Sequence, residues 1–131
     1  MPLLRYKTGD VAILAEDETE CPCGRHFPLV AGIEGRMDDW VKTPEGRSIP
    51  MVGCNMFKHA RNFIEAQIVQ DRLDAIRILV VPLPLFADKD EEHLVELARE
   101  RLGPAMRVMV ERVQEIPRTR TGKLRAVVCN V

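Results

Sequence analysis

Three short clusters and one cysteine pair carry the residue types that chemistry needs. In Tyr6-Lys7-Thr8-Gly9-Asp10 a carboxylate follows a glycine turn. Such a carboxylate can accept hydrogen bonds from two neighbouring hydroxyls, as an acidic residue does with a ribose diol. Thr-Gly-Asp is also an ordinary surface turn. Gly35-Arg36-Met37-Asp38-Asp39 places a glycine before mixed charges where the composition changes, which suits a linker that absorbs backbone rotation. A solvated turn with an Arg–Asp pair is the plainer reading. Pro117-Arg118-Thr119-Arg120-Thr121-Gly122-Lys123-Leu124-Arg125 gathers four basic residues, two threonines and a glycine, donors suited to phosphate and carboxylate oxygens. It lacks the upstream glycine of a Walker A loop and reads otherwise as a solvated basic loop. Cys21 and Cys23 flank one residue, a spacing at which both thiolates reach one zinc ion. His26 and Cys54 are the nearest further ligands, and a pair of turn cysteines is the simpler alternative. His59 and His93 have no partner at ligand spacing and read as surface or capping residues.

The elements that must position these residues follow from periodicity. Val11–Ala15 suits a strand, followed by an acidic turn and Cys21-Pro22-Cys23-Gly24-Arg25. Trp40–Lys42 and Arg47–Pro50 flank Thr43-Pro44-Glu45-Gly46 and predict a β-hairpin. Met56, Phe57, Ala60 and Phe63 have helical spacing. Ile64–Gln70 alternates and predicts a strand with one wet face; Asp71–Asp74 turns the chain into a second strand, Ala75–Val81. Lys89–Leu102 is the clearest helix. Asp88 is its expected N-cap with Glu91 at N3, Leu94, Leu97, Ala98 and Leu102 form the apolar stripe, and Gly103-Pro104 ends it. Met106–Ile116 and Ala126–Cys129 are the last strand candidates. The order predicts an α+β domain, an antiparallel sheet of ferredoxin-like flavour with helices on one face, preceded by a short β segment.

Composition bounds the function. The 131 residues hold 46% hydrophobic and 30% charged side chains, as a globular domain does. Nineteen basic residues against twenty acidic ones argue against a nucleic-acid binder. No aromatic residue is interleaved among Arg112, Arg118, Arg120, Lys123 and Arg125, so base stacking has no platform there. The longest apolar run, Ile76–Phe86, contains Arg77, Pro82 and Pro84 and is too short to span a bilayer. The N-terminus lacks the order of a signal peptide, so the expected address is the cytoplasm, with no membrane partner.

Taken in order, Arg5-Tyr6-Lys7-Thr8-Gly9-Asp10, Cys21-Pro22-Cys23-Gly24-Arg25, Gly35-Arg36-Met37-Asp38-Asp39, Gln67-Ile68-Val69-Gln70 and Ile116-Pro117 through Arg125 carry a resemblance. The chain resembles the C-terminal part of the adenylate-forming ligases, and within them the phenylacetate–coenzyme A ligase branch with its capsule-biosynthesis relatives. The resemblance implies that Asp10, with Tyr6 beside it, holds the ribose hydroxyls of ATP or an acyl-adenylate. It implies that Arg36 contacts the nucleotide, Asp38 is the hinge, and Lys123 is the adenylation lysine. It further implies that residues 1–34 are the tail of a large N-terminal domain and residues 35–131 a swinging lid. The family's phosphate loop, magnesium-binding glutamate and acyl pocket are not found in this sequence, so the chain alone is expected to form no acyl-CoA. ATP or AMP, coenzyme A and magnesium are the cofactors implied. The expected partner is a second copy or a separate N-terminal ligase domain, met by apolar Val11, Ile13, Leu14 and Phe27. The competing expectation is a stand-alone α+β module that binds anions or assembles complexes without catalysis, using Arg112, Arg118, Arg120, Lys123 and Arg125.

Overall fold

The computed structural model describes residues 6, 8–16, 21–36, 40–50 and 52–131. The expected hinge residue Asp38 lies outside them, as do the side chains of Arg36 and Cys54. The chain divides into two compact units, Met1–Met37 and Asp38–Val131.

The first unit is built on one antiparallel hairpin, β1 (Asp10–Leu14) with β2 (Val30–Arg36). Register shifts interrupt the ladder twice, between Val11 and Ala12 and between Ile13 and Leu14. A two-stranded ribbon cannot bury both of its faces. Ile13, Leu14, Val30 and Ile33 accordingly remain exposed, as does Phe27 in the connection.

The second unit opens with the hairpin β3 (Trp40–Lys42) and β4 (Ser48–Pro50). Its turn closes where Gly46 N–H donates to the Thr43 carbonyl at 2.9 Å, with Gly46 at φ 83°. A short helix, α1 (Val52–Phe57), leads to β5 (Phe63–Arg72) and β6 (Ala75–Pro82), an antiparallel pair. Helix α2 (Asp88–Leu102) crosses to β7 (Arg107–Arg112), parallel to β6, and β8 (Val127–Cys129) adds parallel to β5. The sheet order is β7-β6-β5-β8. The α+β class holds. Within it, only the central pairing of this sheet is antiparallel. Helix α2 returns the chain to the end of the sheet from which β6 started, so β7 must run alongside β6.

The core lies on one face of that sheet. Ala66, Ile68, Ile76, Ile78 and Val80 meet Leu94, Ala98 and Leu102 of α2, Val52 and Met56 of α1, and Val41 of β3. Leu97, the fourth residue of the expected stripe, packs at the margin. The cap of α2 sits one residue earlier than the sequence implies. Ala87 occupies the N-cap position, and Asp90 at N3 accepts from its backbone N–H at 2.9 Å. Asp90 also accepts from Asn62 Nδ2 at 3.0 Å, which ties the start of α2 to the loop before β5. Both ion pairs of Arg112, to Glu91 at 2.5 Å and Asp88 at 2.8 Å, fasten β7 to the same end of the helix.

The short helix stops at Phe57, ahead of the span its spacing implies, and Phe63 opens β5. Phe57 and Phe63 instead meet edge-to-face, ring centroids 6.0 Å apart. Gly53 lets α1 approach the last strand: a Cβ there would stand 3.0 Å from the Ala126 carbonyl oxygen. Among the described residues no helix is long and apolar enough to cross a membrane.

Candidate functional site: a tethered basic loop and a carboxylate hairpin

The basic loop owes its position to polar side chains on the back of β5. Along residues 65–69 of that strand, Ala66 and Ile68 face the core, so Glu65, Gln67 and Val69 face the other way. The alternation predicts water on that side. Gln67 is nevertheless 5% exposed, because the returning chain covers it. Its Nε2 donates to the Arg125 carbonyl at 2.8 Å, and Glu65 pairs with the Arg118 guanidinium. Ile68 N–H donates to the Ala126 carbonyl at 2.9 Å, and Ile116 is buried where the loop begins. Both ends of the basic segment are therefore fixed to one strand.

Between those anchors the chain makes a tight reversal. Thr119 N–H donates to the Lys123 carbonyl at 3.0 Å, and Gly122 N–H to the Thr119 carbonyl at 2.8 Å. The Thr119 hydroxyl oxygen accepts from the Lys123 backbone N–H at 3.1 Å and lies 3.0 Å from the Thr121 hydroxyl. Gly122 has φ 79°, a conformation that costs other residues energy and glycine little. Both threonine hydroxyls thus take part in the turn. Lys123 is left exposed at its end, and its ammonium has no hydrogen bond or ion pair among the described residues.

In the first unit, Asp10 and Arg36 stand opposite each other in the β1–β2 register. The hairpin brings together two residues far apart in sequence that were expected to serve one nucleotide. The Asp10 backbone N–H donates to the Thr8 hydroxyl at 3.2 Å. Tyr6 is exposed nearby in sequence.

Cys21 and Cys23 come together with their Sγ atoms 2.9 Å apart. The Cys21 thiol, and after it the Arg25 backbone N–H, hold the Cys23 thiol below its ordinary pKa. No group of three or more metal-ligating side chains occurs among the described residues, so the pair supplies at most half of a tetrahedral zinc site there. His93 Nε2 lies 3.3 Å from the His59 carbonyl, a contact between surface segments.

One residue of the Gln67–Gln70 segment carries a structural weight that the sequence did not assign to it. Gln70 is fully buried; its Oε1 accepts from Lys42 N–H at 2.9 Å and its Nε2 donates to the Lys42 carbonyl at 2.7 Å. A side-chain amide thereby acts as an extra strand residue and joins the β3–β4 hairpin to the sheet. Its sequence signal is a glutamine in step with the core-facing Ala66 and Ile68.

Comparison with known proteins places this architecture. Residues 41–130 match the CapK C-terminal domain, and the chain belongs to that family. The open conformation of 2-hydroxyisobutyryl-CoA ligase, solved with 2-HIB-AMP and CoA, is similar over 98% of this chain at 25% identity and a TM-score of 0.55. The acetoacetyl-CoA synthetase of Streptomyces lividans shares the fold over 73% of the chain at 18% identity and a TM-score of 0.50. The chain spans 29% of the first protein's length and 14% of the second's. No curated protein matches it. The fold is that of the C-terminal part of an adenylate-forming ligase.

Proposed function

We propose that the chain is the lid of an acid–coenzyme A ligase of the phenylacetate–CoA ligase kind, with Lys123 as the residue that promotes adenylation. The observation that carries this reading is the exposed ammonium at the end of a tight turn in a loop anchored on both sides, in a chain similar to a ligase solved with an acyl-adenylate and CoA. In the first half-reaction a substrate carboxylate attacks the α-phosphate of ATP and negative charge builds on both. An ammonium on a long stem can bridge the two groups and stabilise that charge. The loop then has to leave so that the coenzyme A thiol reaches the acyl carbon, which suits a catalytic group carried on a lid.

In this reading Tyr6, Asp10 and Arg36 hold the nucleotide, Asp38 is the hinge, and magnesium accompanies ATP. The register that sets Asp10 against Arg36 supports placing both at one ligand. Residues 1–34 act as the edge of a larger nucleotide-binding domain and residues 35–131 as the lid. Activity then depends on a phosphate loop supplied by a separate ligase domain.

The test measures pyrophosphate release with ATP, magnesium and a panel of aryl acids. The chain alone should release none above background. With a polypeptide that carries the phosphate loop, release should appear, and Lys123→Ala should lower it about 100- to 1000-fold, the usual cost of removing one preorganised charge-stabilising donor. Turnover by the chain alone, or an unchanged rate in Lys123→Ala, would refute the assignment.

A further inference from the structure

The proposed ligase chemistry makes no use of the cysteine pair in the first unit. Cys21 carbonyl accepts from Gly24 N–H at 2.9 Å, closing a turn with Pro22 at its second position and Gly24 at φ 72°. Proline fixes its own φ, so the turn is preformed rather than induced by a ligand. It holds two thiols in contact, Cys21 half-buried and Cys23 exposed, with Sγ atoms 2.9 Å apart. Two thiolates on one tetrahedral zinc ion, at about 2.3 Å each, stand about 3.8 Å apart. At 2.9 Å the two thiols are in direct contact, closer than two ligands of one zinc ion stand. No third metal ligand joins them among the described residues.

From this geometry we propose that Cys21 and Cys23 form a dithiol–disulfide couple that exchanges with low-molecular-weight disulfides. Cys21 lines a cavity of about 430 Å³ together with Arg25, His26 and Phe27, a volume within the range of small-molecule sites. The Arg25 guanidinium and the Glu16 carboxylate both line that wall, which suits a disulfide carrying carboxylate and ammonium groups, such as oxidised glutathione. The exposed Cys23 thiolate attacks one sulfur of the small disulfide, whose S–S bond breaks and expels one thiolate. Cys21 then gives up its proton to solvent and attacks Cys23 Sγ, breaking the mixed disulfide and expelling the second thiolate. The two protein thiols are oxidised by two electrons, and the small disulfide is reduced to two thiols. The couple is independent of the ligase reading, since it lies within the first unit and needs no nucleotide.

The experiment equilibrates the whole chain in glutathione buffers from fully reduced to fully oxidised, traps free thiols by alkylation, and maps them by mass spectrometry. Of the four cysteines, Cys21 and Cys23 should lose alkylation together in one transition, with loss of two hydrogens and no gain in chain mass. Cys21→Ser should instead stall as a stable glutathione adduct on Cys23. Continued alkylation of both residues in fully oxidised buffer would overturn the proposal. So would linkage only between chains, or stoichiometric zinc that the purified protein retains and that Cys21→Ser and Cys23→Ser release.

Discussion

Single side chains decide where the catalytic candidate sits. Lys123 does not position itself. Gln67 and Glu65, two polar residues of β5, hold its flanks from more than fifty residues away in sequence. Gln70 does the same service for the hairpin at the start of the second unit by pairing with both backbone groups of Lys42. Buried amides of this kind matter chiefly through what their loss leaves behind, because an unpaired backbone donor and acceptor cannot recover water inside the fold. Gln70→Leu keeps most of the volume and removes the hydrogen bonds. It should lower unfolding free energy by about 1–3 kcal/mol in a urea titration, with the slope of the transition unchanged. A variant as stable as the parent would show that the amide is dispensable.

Among elements, α2 and the β5–β6 hairpin carry the second unit. Leu94, Ala98 and Leu102 are fully buried on one stripe of α2 and meet both central strands. Leu94→Ala should cost about 2–5 kcal/mol, the transfer free energy of the missing atoms plus the cavity they leave. Circular dichroism should record a lowered Tm.

The β5–β6 turn is charged where the helix face is apolar. Asp71 is held below the ordinary carboxylate pKa first by the Asn130 amide and then by Arg77, and Asp74 by Arg72 and then Arg107. Lowered folded-state values mean that these carboxylates favour the native state while ionised. Their contribution is present in full above about pH 4, the unfolded value, and is lost as pH falls through the lower folded-state values. Asp71 is exposed and Asp74 partly so, and the loss should be gradual and reduced by salt. A Tm profile from neutral to strongly acid pH should fall in that window, and Asp74→Asn should flatten it. A profile identical in the variant would remove Asp74 from the account.

For the molecule as a whole, the two units differ in how far they satisfy themselves. The second has a closed core fed by two helices, a sheet and a hairpin. The first leaves Ile13, Leu14, Phe27, Val30 and Ile33 exposed, apolar side chains of the kind that mark an interaction surface when they lie together. We expect a second copy of the chain, or a separate ligase domain, to cover them. Light scattering at micromolar concentration should therefore report a dimer of the isolated chain, and Phe27→Asp with Ile33→Asp should return a monomer. A monomeric parent chain would count against the first of these partners.

The legibility of the protein divides along physical lines. Local chemistry was readable: the Pro/Gly turn of β3–β4, the apolar stripe and glycine stop of α2, and the strands β5 and β6 all follow from backbone preference and periodicity, which act over a few residues. The basic loop and its lysine were readable as residue types. What required the tertiary structure was every relation between distant residues. The parallel placement of β7 and β8, the covering of the back of β5, and the pairing of Asp10 with Arg36 depend on which segments meet. The start of α2 shows the same limit at short range. Asp88 is the better cap by type, yet Asp90 can reach both Ala87 N–H and Asn62 only from the third helical position. The order of residues dictates which groups are available for chemistry and which stretches favour helix or strand, because those are properties of neighbouring residues. Folding decided which groups face one another and which are tied down, because burial and hydrogen-bond pairing are settled between segments that only the closed chain brings into contact.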